Sequence, residues 1–342
     1  MNITFVIGNG FDLRLGMRCR YGDFYGLYCE DPRYRTNSEA AKKLSRNAKE
    51  IINTWSAYEL TVGECSTKFR AENSYLKCVQ EFQDSLSSYL NAEEDALDFT
   101  GADTQHSIAE DIKHVLQYFG STRRLHNDAC QKLIDNEAGG EIDCHFLSFN
   151  YTSTLQTCLN MIPNREFQSL HRTYRLHEVQ NVHGSIRAWR GHYGEPPIMG
   201  VNDKQQIANE EFRAFAPLCE RLIKPDCIPI ERRDKYCDII RQSDLICIYG
   251  MSLGKTDAFW WREIGRWLKQ DRRRQLVIYW YDERNEGKEL QPNQRQSAIA
   301  YCRNRFTGAS PELGWRPEEK KRIHVAVNDK LFGCEIPRRS RP

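Results

Sequence analysis

The sequence predicts a doubly wound α/β fold, in which a mainly parallel sheet forms a single domain over residues 1–342 and carries a large helical insertion. Two observations lead to this prediction. Short apolar runs that end at a glycine or a polar turn are typical of buried parallel strands. A long stretch between the first two of these runs shows helical spacing instead. The length suits one such domain with an insertion.

The predicted strands are short runs rich in β-branched or aromatic residues. They are Ile3–Ile7, His145–Phe149, Leu245–Tyr249, Leu276–Tyr281 and Ile323–Val327. Because they fall at both ends of the chain, we expect one sheet built from both ends. The stretch Tyr193–Asp234 holds five of the twelve prolines and is predicted to be irregular.

The segment Glu39–Glu137 is predicted to be a helical insertion packed on or beside the sheet. Apolar residues three or four positions apart, such as Leu76, Val79 and Phe82, indicate amphipathic helices there. A sheet fold does not need this segment. We therefore expect it to serve in sensing or in assembly of the chain into a homo-oligomer.

Composition excludes several classes of protein. Lys and Arg number 49 against 47 Asp and Glu, so the net charge of +2 indicates no particular partner. No apolar run approaches the roughly 18 residues that span a bilayer, and the N-terminus lacks a basic leader. The 13 cysteines are scattered without C-x-x-C spacing. We expect a cytoplasmic protein that has no membrane partner, no disulfide framework and no zinc ribbon.

The first candidate site is Gly8–Asp12, which follows the first predicted strand. Glycines allow a ligand to approach the backbone, and the N–H groups of Gly10 to Asp12 would attract a phosphate at a helix start. Asp12 would either cap that helix or bond a ribose hydroxyl. A plain strand-to-helix turn remains the alternative.

Two further polar residues follow predicted strands or precede a sharp turn. Asn150 comes directly after the strand His145–Phe149, where open α/β sheets place their ligands. The alternative for Asn150 is a helix N-cap. His183 precedes Gly184 and is a natural acid or base near neutral pH, although a histidine bonded to nearby backbone is the commoner case.

The segment Gly250–Asp257 follows the strand Leu245–Tyr249. Ser252 and the next N–H groups would bind an oxyanion or a ribose, and Asp257 would cap the following helix. The same letters match the G-x-S-x-G nucleophile elbow. A hydrolase with Ser252, Asp282 and His324 as its triad is therefore the second interpretation.

Together these segments resemble the AbiH family of bacterial phage abortive-infection proteins. The resemblance is carried by Gly8–Leu13 with Tyr21, Asp23 and Phe24, by Trp55 with Glu59, and by Phe149–Thr152, His183–Gly184 and Gly250–Asp257. The chain departs from the family after Leu13, where Arg14–Cys19 replaces Ala-His-Gly-Leu-Pro-Thr. A role for that family histidine is therefore not carried over.

A more distant resemblance is to sirtuins and sirtuin-like NAD-cleaving domains, which implies a Rossmann-like fold. It implies that Asn150 and His183 are catalytic. It also implies cofactor contacts at Gly8, Asn9, Gly10, Phe11, Asp12, Gly250, Ser252, Leu253 and Asp257. Thr152 stands where those enzymes carry Asp, and Asp12 where they carry Ser. The sirtuin zinc cysteines are missing, which argues against a protein deacetylase.

The two resemblances imply a phage-defence effector that binds a nucleotide and hydrolyses NAD, with NAD as substrate or ligand and no metal. Two alternatives stay open. The chain could be a nucleotide-binding defence protein that acts as a nuclease, or a non-catalytic sensor that regulates a partner. The AbiH resemblance also implies a phage-derived trigger or a regulatory partner, which the helical insertion would sense.

Overall fold

The computed structural model describes residues 1–30, 55–119, 129–136, 140–189, 195–282, 289–329 and 331–339. The parts 39–54, 120–128 and 137 of the predicted insertion therefore lie outside the described residues. Within the described chain, no helix combines the length and the apolar character needed to cross a membrane.

A seven-stranded sheet forms the centre of the molecule, in the order β3-β4-β2-β1-β5-β6-β7. Its strands are β1 Asn2–Ile7, β2 Glu141–Ser148, β3 Glu166–Ser169, β4 Arg172–Asn181, β5 Leu245–Tyr249, β6 Gln275–Trp280 and β7 Ile323–Val327. Neighbouring strands pair in parallel, except β3 with β4. The mixed α/β fold with a mainly parallel sheet is thus confirmed.

The five predicted strands are present, and two more were not predicted. Both extra strands lie at one side of the sheet, with β3 at the edge and β4 next to it. Polar side chains at Arg175, His177 and Glu178 are exposed on β4. A strand with one solvent-exposed face lacks the continuous apolar run that is typical of a buried parallel strand. For this reason the sequence did not predict β4.

The chain reverses its direction across the sheet at β1. It crosses from β1 to β2 and β4 on one side, and then returns to β5 on the other side of β1. The loops that follow β1, β2, β4 and β5 therefore lie along one edge. In open α/β sheets, ligands bind at this kind of reversal, outside the carboxyl ends of the strands.

Helices cover both faces of the sheet, and successive strand residues alternate between the two cores. Phe5 points into one core and Val6 into the other. The first face carries the helices Gly10–Arg14, Tyr21–Glu30, Trp55–Cys65, Glu72–Asp95, Ala102–Tyr118, Ala129–Asn136, Thr154–Leu159 and Ala216–Leu222. The second carries Ile230–Gln242, Ala258–Gln270 and Pro292–Gly308. Short helices also occur at Ile186–Trp189, Lys224–Cys227 and Pro317–Lys320.

The described part of the predicted insertion contains four of these helices and none of the seven strands of the sheet. In Glu72–Asp95, the buried residues Tyr75, Val79, Phe82 and Leu86 recur at helical spacing and pack into the first core. The prediction of irregular structure over Tyr193–Asp234 is wrong in part, because the three helices Ala216–Leu222, Lys224–Cys227 and Ile230–Gln242 form or begin there.

The C-terminal segment 331–339 packs beside the loop that follows β1. The Phe332 ring lies 4.9 Å from the Phe11 ring and 5.0 Å from the Tyr249 ring, both edge-on. Arg338 reaches back to the Glu93 carboxylate at 2.8 Å. The last described residues thus stabilise the first helix of the chain.

Candidate functional site

The glycines after β1 and β5 form a joint between two loops. The Gly10 N–H donates to the Gly250 carbonyl at 3.0 Å, and the Gly8 N–H donates to the Tyr249 carbonyl at 2.9 Å. A Cβ on Gly10 would lie only 2.5 Å from the Gly250 Cα, and Gly250 has a φ of +69°. These positions need glycine because the two backbones touch.

This joint changes the interpretation of Gly8–Asp12 as a phosphate cradle. Besides the Gly10 N–H, the Phe11 N–H is also engaged, because it donates to the Gly8 carbonyl at 2.9 Å. The Asn9 amide donates to the Cys19 carbonyl at 3.0 Å, and the Phe11 side chain lies in the core. In this arrangement the N–H groups of Gly10 and Phe11 are not available to a phosphate, contrary to the sequence expectation.

Asp12 is a buried carboxyl that binds two threonine hydroxyls. It is 1% exposed, and it accepts hydrogen bonds from Thr152 Oγ1 at 2.6 Å and from Thr154 Oγ1. It makes no capping bond to its own helix, whose N-cap is Asn9, so the expected capping role is wrong. Burial raises the pKa of Asp12 to about 7, with nearby Glu94 adding to this and the two hydroxyls opposing it. The carboxyl can therefore exchange a proton near neutral pH.

A second carboxylate, Glu94, lies behind the same loop. It lies in the last turn of the helix Glu72–Asp95 and accepts hydrogen bonds from the Ser153 N–H at 3.2 Å and from the Ser153 hydroxyl. Arg187 binds it through Nη2 at 3.1 Å. The three consecutive hydroxyls Thr152, Ser153 and Thr154 thus hold two buried carboxyl groups, and sequence reasoning missed Glu94.

Asn150 lies beside Asp12 at the carboxyl end of β2. It is 6% exposed, and its backbone N–H contacts Ser148 Oγ at 3.3 Å. Its side-chain amide interacts with the Asp12 carboxyl and lowers the pKa of that group. Yet the buried Nδ2 has no well-aligned hydrogen bond to any described residue. A buried donor in this state calls for a partner, such as a water or a ligand.

His183 lies in the loop that follows β4, and its side chain is buried. It is 3% exposed, and its ring lies edge-on to the Phe149 ring at 5.0 Å. Its Nε2 lies 3.3 Å from Asp257 Oδ1. Burial lowers the pKa of His183 to about 3, and the positive charge of Lys224 adds to that effect. The imidazole is therefore neutral at physiological pH.

Lys224 is a buried cation that sequence reasoning missed. Its Nζ lies 2.7 Å from Asp257 Oδ1 and 2.9 Å from Glu59 Oε2, and its side chain is 2% exposed. Burial alone would lower the pKa of Lys224, but the two carboxylates outweigh it and raise that pKa. The sequence feature that could have indicated a buried lysine is the position of Lys224 between the apolar residues Ile223 and Pro225.

The network built around Lys224 corrects the expected role of Asp257. Asp257 is the N-cap of the helix Ala258–Gln270, but its side chain makes no capping bond. Its carboxylate instead lies between Lys224 and His183. A residue after β5 therefore lies against the imidazole that follows β4, although His183 Nε2 and Asp257 Oδ1 form no hydrogen bond with each other.

Residues 4–279 match the model of the family described as Bacteriophage abortive infection AbiH. The chain belongs to the AbiH family. The match begins in β1, ends in β6 and includes Asp12, Asn150, His183 and Asp257. No curated protein matches the chain. The AbiH resemblance of the sequence motifs is thus confirmed, while the sirtuin-like one remains a prediction.

Two residues of this AbiH protein that were expected to contact a cofactor, Ser252 and Leu253, lie just after β5. The Ser252 carbonyl accepts a hydrogen bond from Arg305 Nε at 2.7 Å, and the side chain is partly exposed. Leu253 has a φ of +51° and is buried in the second core. The Leu253 side chain therefore packs in the second core, and a cofactor contact at Leu253 remains a prediction.

The nucleophile-elbow interpretation is also wrong. His324 lies opposite Val277 in the register of β6 and β7, and its Nε2 contacts Gln275 Oε1 at 2.7 Å. It is therefore near the amino end of β7, two strands away from β5. Ser252 lies past the carboxyl end of β5, at the other edge of the sheet. The two side chains cannot form a triad.

Proposed function

We propose that this AbiH protein acts in phage abortive infection by hydrolysing NAD at the sheet edge where Asp12, Asn150 and His183 lie. The observation that carries the proposal is the pairing of a titratable, buried carboxyl with a buried amide whose Nδ2 has no well-aligned hydrogen bond to a described residue. Perturbed acids beside unpaired donors at the edge of an α/β sheet are typical of active sites.

The strand order supports a dinucleotide as the ligand. With β3 set aside, the six parallel strands lie in the order β4-β2-β1-β5-β6-β7. Numbered along the chain, this is the order 3-2-1-4-5-6 of Rossmann-like folds that bind dinucleotides. Their ligands bind where the order reverses, and here that point is the carboxyl end of β1. Asp12 follows β1, and Asn150 follows the neighbouring strand β2.

The proposed reaction is hydrolysis of the bond between the nicotinamide nitrogen and ribose C1′. A water oxygen bonds to C1′, the electron pair of the broken bond leaves with nicotinamide, and ADP-ribose is the other product. The proton that the water loses goes to a protein carboxylate. Positioning of the water and stabilisation of the positive charge on the ribose would supply most of the acceleration.

Asp12 is better suited than His183 to take the proton. A general base works best when its pKa lies near the working pH. The pKa of Asp12 is raised to about 7, whereas that of His183 is lowered to about 3. We therefore assign the base to Asp12, the positioning of the water to Asn150, and a hydrogen bond to a ribose hydroxyl to the neutral His183.

The hydrogen-bonded pair Asp12 and Thr152 explains the two departures from the sirtuin pattern together. In that pattern a serine stands at the position of Asp12 and an aspartate at the position of Thr152. Here the carboxylate and the hydroxyl have exchanged positions and are hydrogen bonded at 2.6 Å. The exchange retains the same two groups on the same two loops, which supports a related chemistry with the carboxylate moved to β1.

Incubation of the purified protein with NAD, with free nicotinamide and ADP-ribose measured, tests the proposal. We expect release by the wild type and loss of release in Asn150→Ala. The matched control is Asn304→Ala, an exposed asparagine on the helix Pro292–Gly308, which should behave as the wild type. Absence of release by the wild type, with and without an extract of phage-infected cells, would contradict the proposal.

Burial favours a second candidate function, a sensor that binds a nucleotide without turnover. Asp12, Asn150 and His183 are each less than 7% exposed. The segment after residue 195 packs against His183, since the Ile198 N–H donates to the His183 carbonyl at 2.8 Å. Binding of NAD with 1:1 stoichiometry, without release of nicotinamide over hours, would indicate this function instead.

A further inference from the structure

A cleft of about 370 Å³ opens beside the buried residues, at the same edge of the sheet. Its walls include Ser153 from the loop after β2 and Ser185 from the loop after β4. The helix Ile230–Gln242 forms the opposite wall. Its size falls within the range of small-molecule sites, and its position is the one that α/β sheets use for ligands.

Among the described residues, three cations line this cleft, which we call the basic cleft. They are Arg187, on the wall next to Ser185, and Arg232 and Lys235, on the opposite helix. A single carboxylate of the described chain, that of Glu195, lines it with them. The charges of these residues therefore sum to an excess of two positive charges, although the whole chain is almost neutral.

The donors of these cations are only partly used. Arg187 binds Glu94 through Nε and Nη2, and its Nη1 makes no hydrogen bond to a described residue. Arg232 donates from Nε and Nη2 to the Tyr236 hydroxyl and from Nη2 to the Asn181 carbonyl at 3.4 Å, and its Nη1 lies 3.3 Å from Glu195 Oε1. Lys235 is exposed and forms no ion pair within the described chain. An incoming anion would thus find free donors on both walls.

A second cleft on the other side of the same helix provides a comparison. It holds about 600 Å³ and is lined by Arg233, Arg241 and Arg262 together with four carboxylates, Asp203, Asp226, Asp234 and Glu263. Its charges sum to one negative charge. The basic character is therefore a property of one cleft and not of the helix.

We propose that the basic cleft binds the phosphate groups of a nucleotide, with Arg187, Arg232 and Lys235 as the cations that hold them. Arginine offers phosphate a planar pair of N–H donors, and lysine offers a compact charge. Arg187 binds Glu94, and Glu94 accepts a hydrogen bond from Ser153. These contacts connect the cleft to the loop after β2, whose Thr152 donates a hydrogen bond to Asp12. Phosphates in the cleft would place the rest of a nucleotide beside Asp12, in place of the cradle first expected at Gly10.

The inference rests on the proposed function only for the identity of the nucleotide, because the phosphate site stands on the cleft itself. Isothermal titration calorimetry of the full chain with inorganic pyrophosphate and with ADP tests it, with uncharged adenosine as the comparison. The variants are Arg187→Gln, Lys235→Gln and the double variant. Arg241→Gln, on the same helix but in the other cleft, is the matched control.

We expect pyrophosphate and ADP to bind the wild type and Arg241→Gln equally, and to bind the double variant at least about tenfold more weakly. Binding should weaken as salt rises, because the site is open to solvent. Equal binding by the double variant, or no binding of either probe to the wild type, would overturn the proposal. Phosphate binding without nicotinamide release would support the cleft and contradict NAD hydrolysis, so the two failures are distinguishable.

Discussion

Thr152 Oγ1 donates a hydrogen bond of 2.6 Å to Asp12 Oδ2, although the two residues lie 140 positions apart in the sequence. The bond joins the loop after β1 to the loop after β2. It also favours the charged form of Asp12 against the effect of burial, so it helps to set the pKa of that carboxyl near 7.

The Thr152→Val variant tests this relationship. Loss of the hydroxyl removes a group that lowers the pKa of Asp12, so that pKa should rise above its present value of about 7. The pH at which nicotinamide release reaches half of its maximum should move upward. The control is Thr67→Val at an exposed threonine, which should leave the profile in place. An unchanged profile in Thr152→Val would contradict the assignment of the base to Asp12.

Asp12→Asn should change how stability depends on pH. The pKa of Asp12 in the folded protein, about 7, is above its ordinary value of 3.8, so the folded state binds more protons between these pH values. This residue's contribution to stability is therefore present at low pH and is lost as pH rises towards 7. Urea unfolding of wild type and variant at several pH values measures the difference. That difference should favour the variant increasingly between pH 4 and 7.

His183 should affect the pH dependence of the free energy of unfolding in the opposite direction to Asp12. Its pKa is lowered from 6.5 to about 3 in the folded protein, so the unfolded state binds more protons between those values. Its contribution is present above pH 6.5 and is lost as pH falls towards 3. In the same unfolding experiment, His183→Gln should therefore lose the part of the acid sensitivity that the wild type shows between pH 6 and 4. A variant with the full wild-type sensitivity would contradict the burial of a neutral imidazole.

Lys224→Met should be strongly destabilising. It leaves Glu59 and Asp257 buried without their cation, and the loss of one partner of a buried ion pair costs about 3–5 kcal/mol. Lys113→Met removes an exposed pair with Glu110 and should change the free energy of unfolding by less than about 1 kcal/mol. Urea unfolding measures both. Equal losses in the two variants would show that the Lys224 network does not hold the site.

Phe332→Ala tests the contact between the C-terminal segment and the loop after β1. The ring is 5% exposed and packs on Phe11 and Tyr249, so its loss should cost about 3–5 kcal/mol in the free energy of unfolding. Ile230→Ala, at a side chain that is 62% exposed, is the control and should cost far less. Similar losses in both variants would contradict a stabilising role for this segment.

The sequence was sufficient for the apolar strands because burial on both faces leaves a continuous apolar run. It also predicted that Asp12, Asn150, His183 and Asp257 lie at one edge of the sheet, because each follows a strand or opens a turn there. It could not show β4, whose exposed face breaks the run.

The contacts between distant segments were also beyond local patterns. Lys224 pairs with Glu59 across 165 positions, and only the folded chain brings the two together. The Gly10–Gly250 contact has the same character, since each glycine by itself is typical of a phosphate loop. Local spacing thus predicted the turns at these two glycines, but assigned Gly10 a ligand where the fold has a second backbone.

The rate of nicotinamide release from NAD at pH 8, compared between the wild type and Asp12→Asn, tests the central claim most directly. If Asp12 is the base of an NAD hydrolase, the wild type releases nicotinamide and ADP-ribose in equal amounts, and Asp12→Asn is at least about 100-fold slower. Equal rates for the two proteins, or no release from either, would contradict the claim.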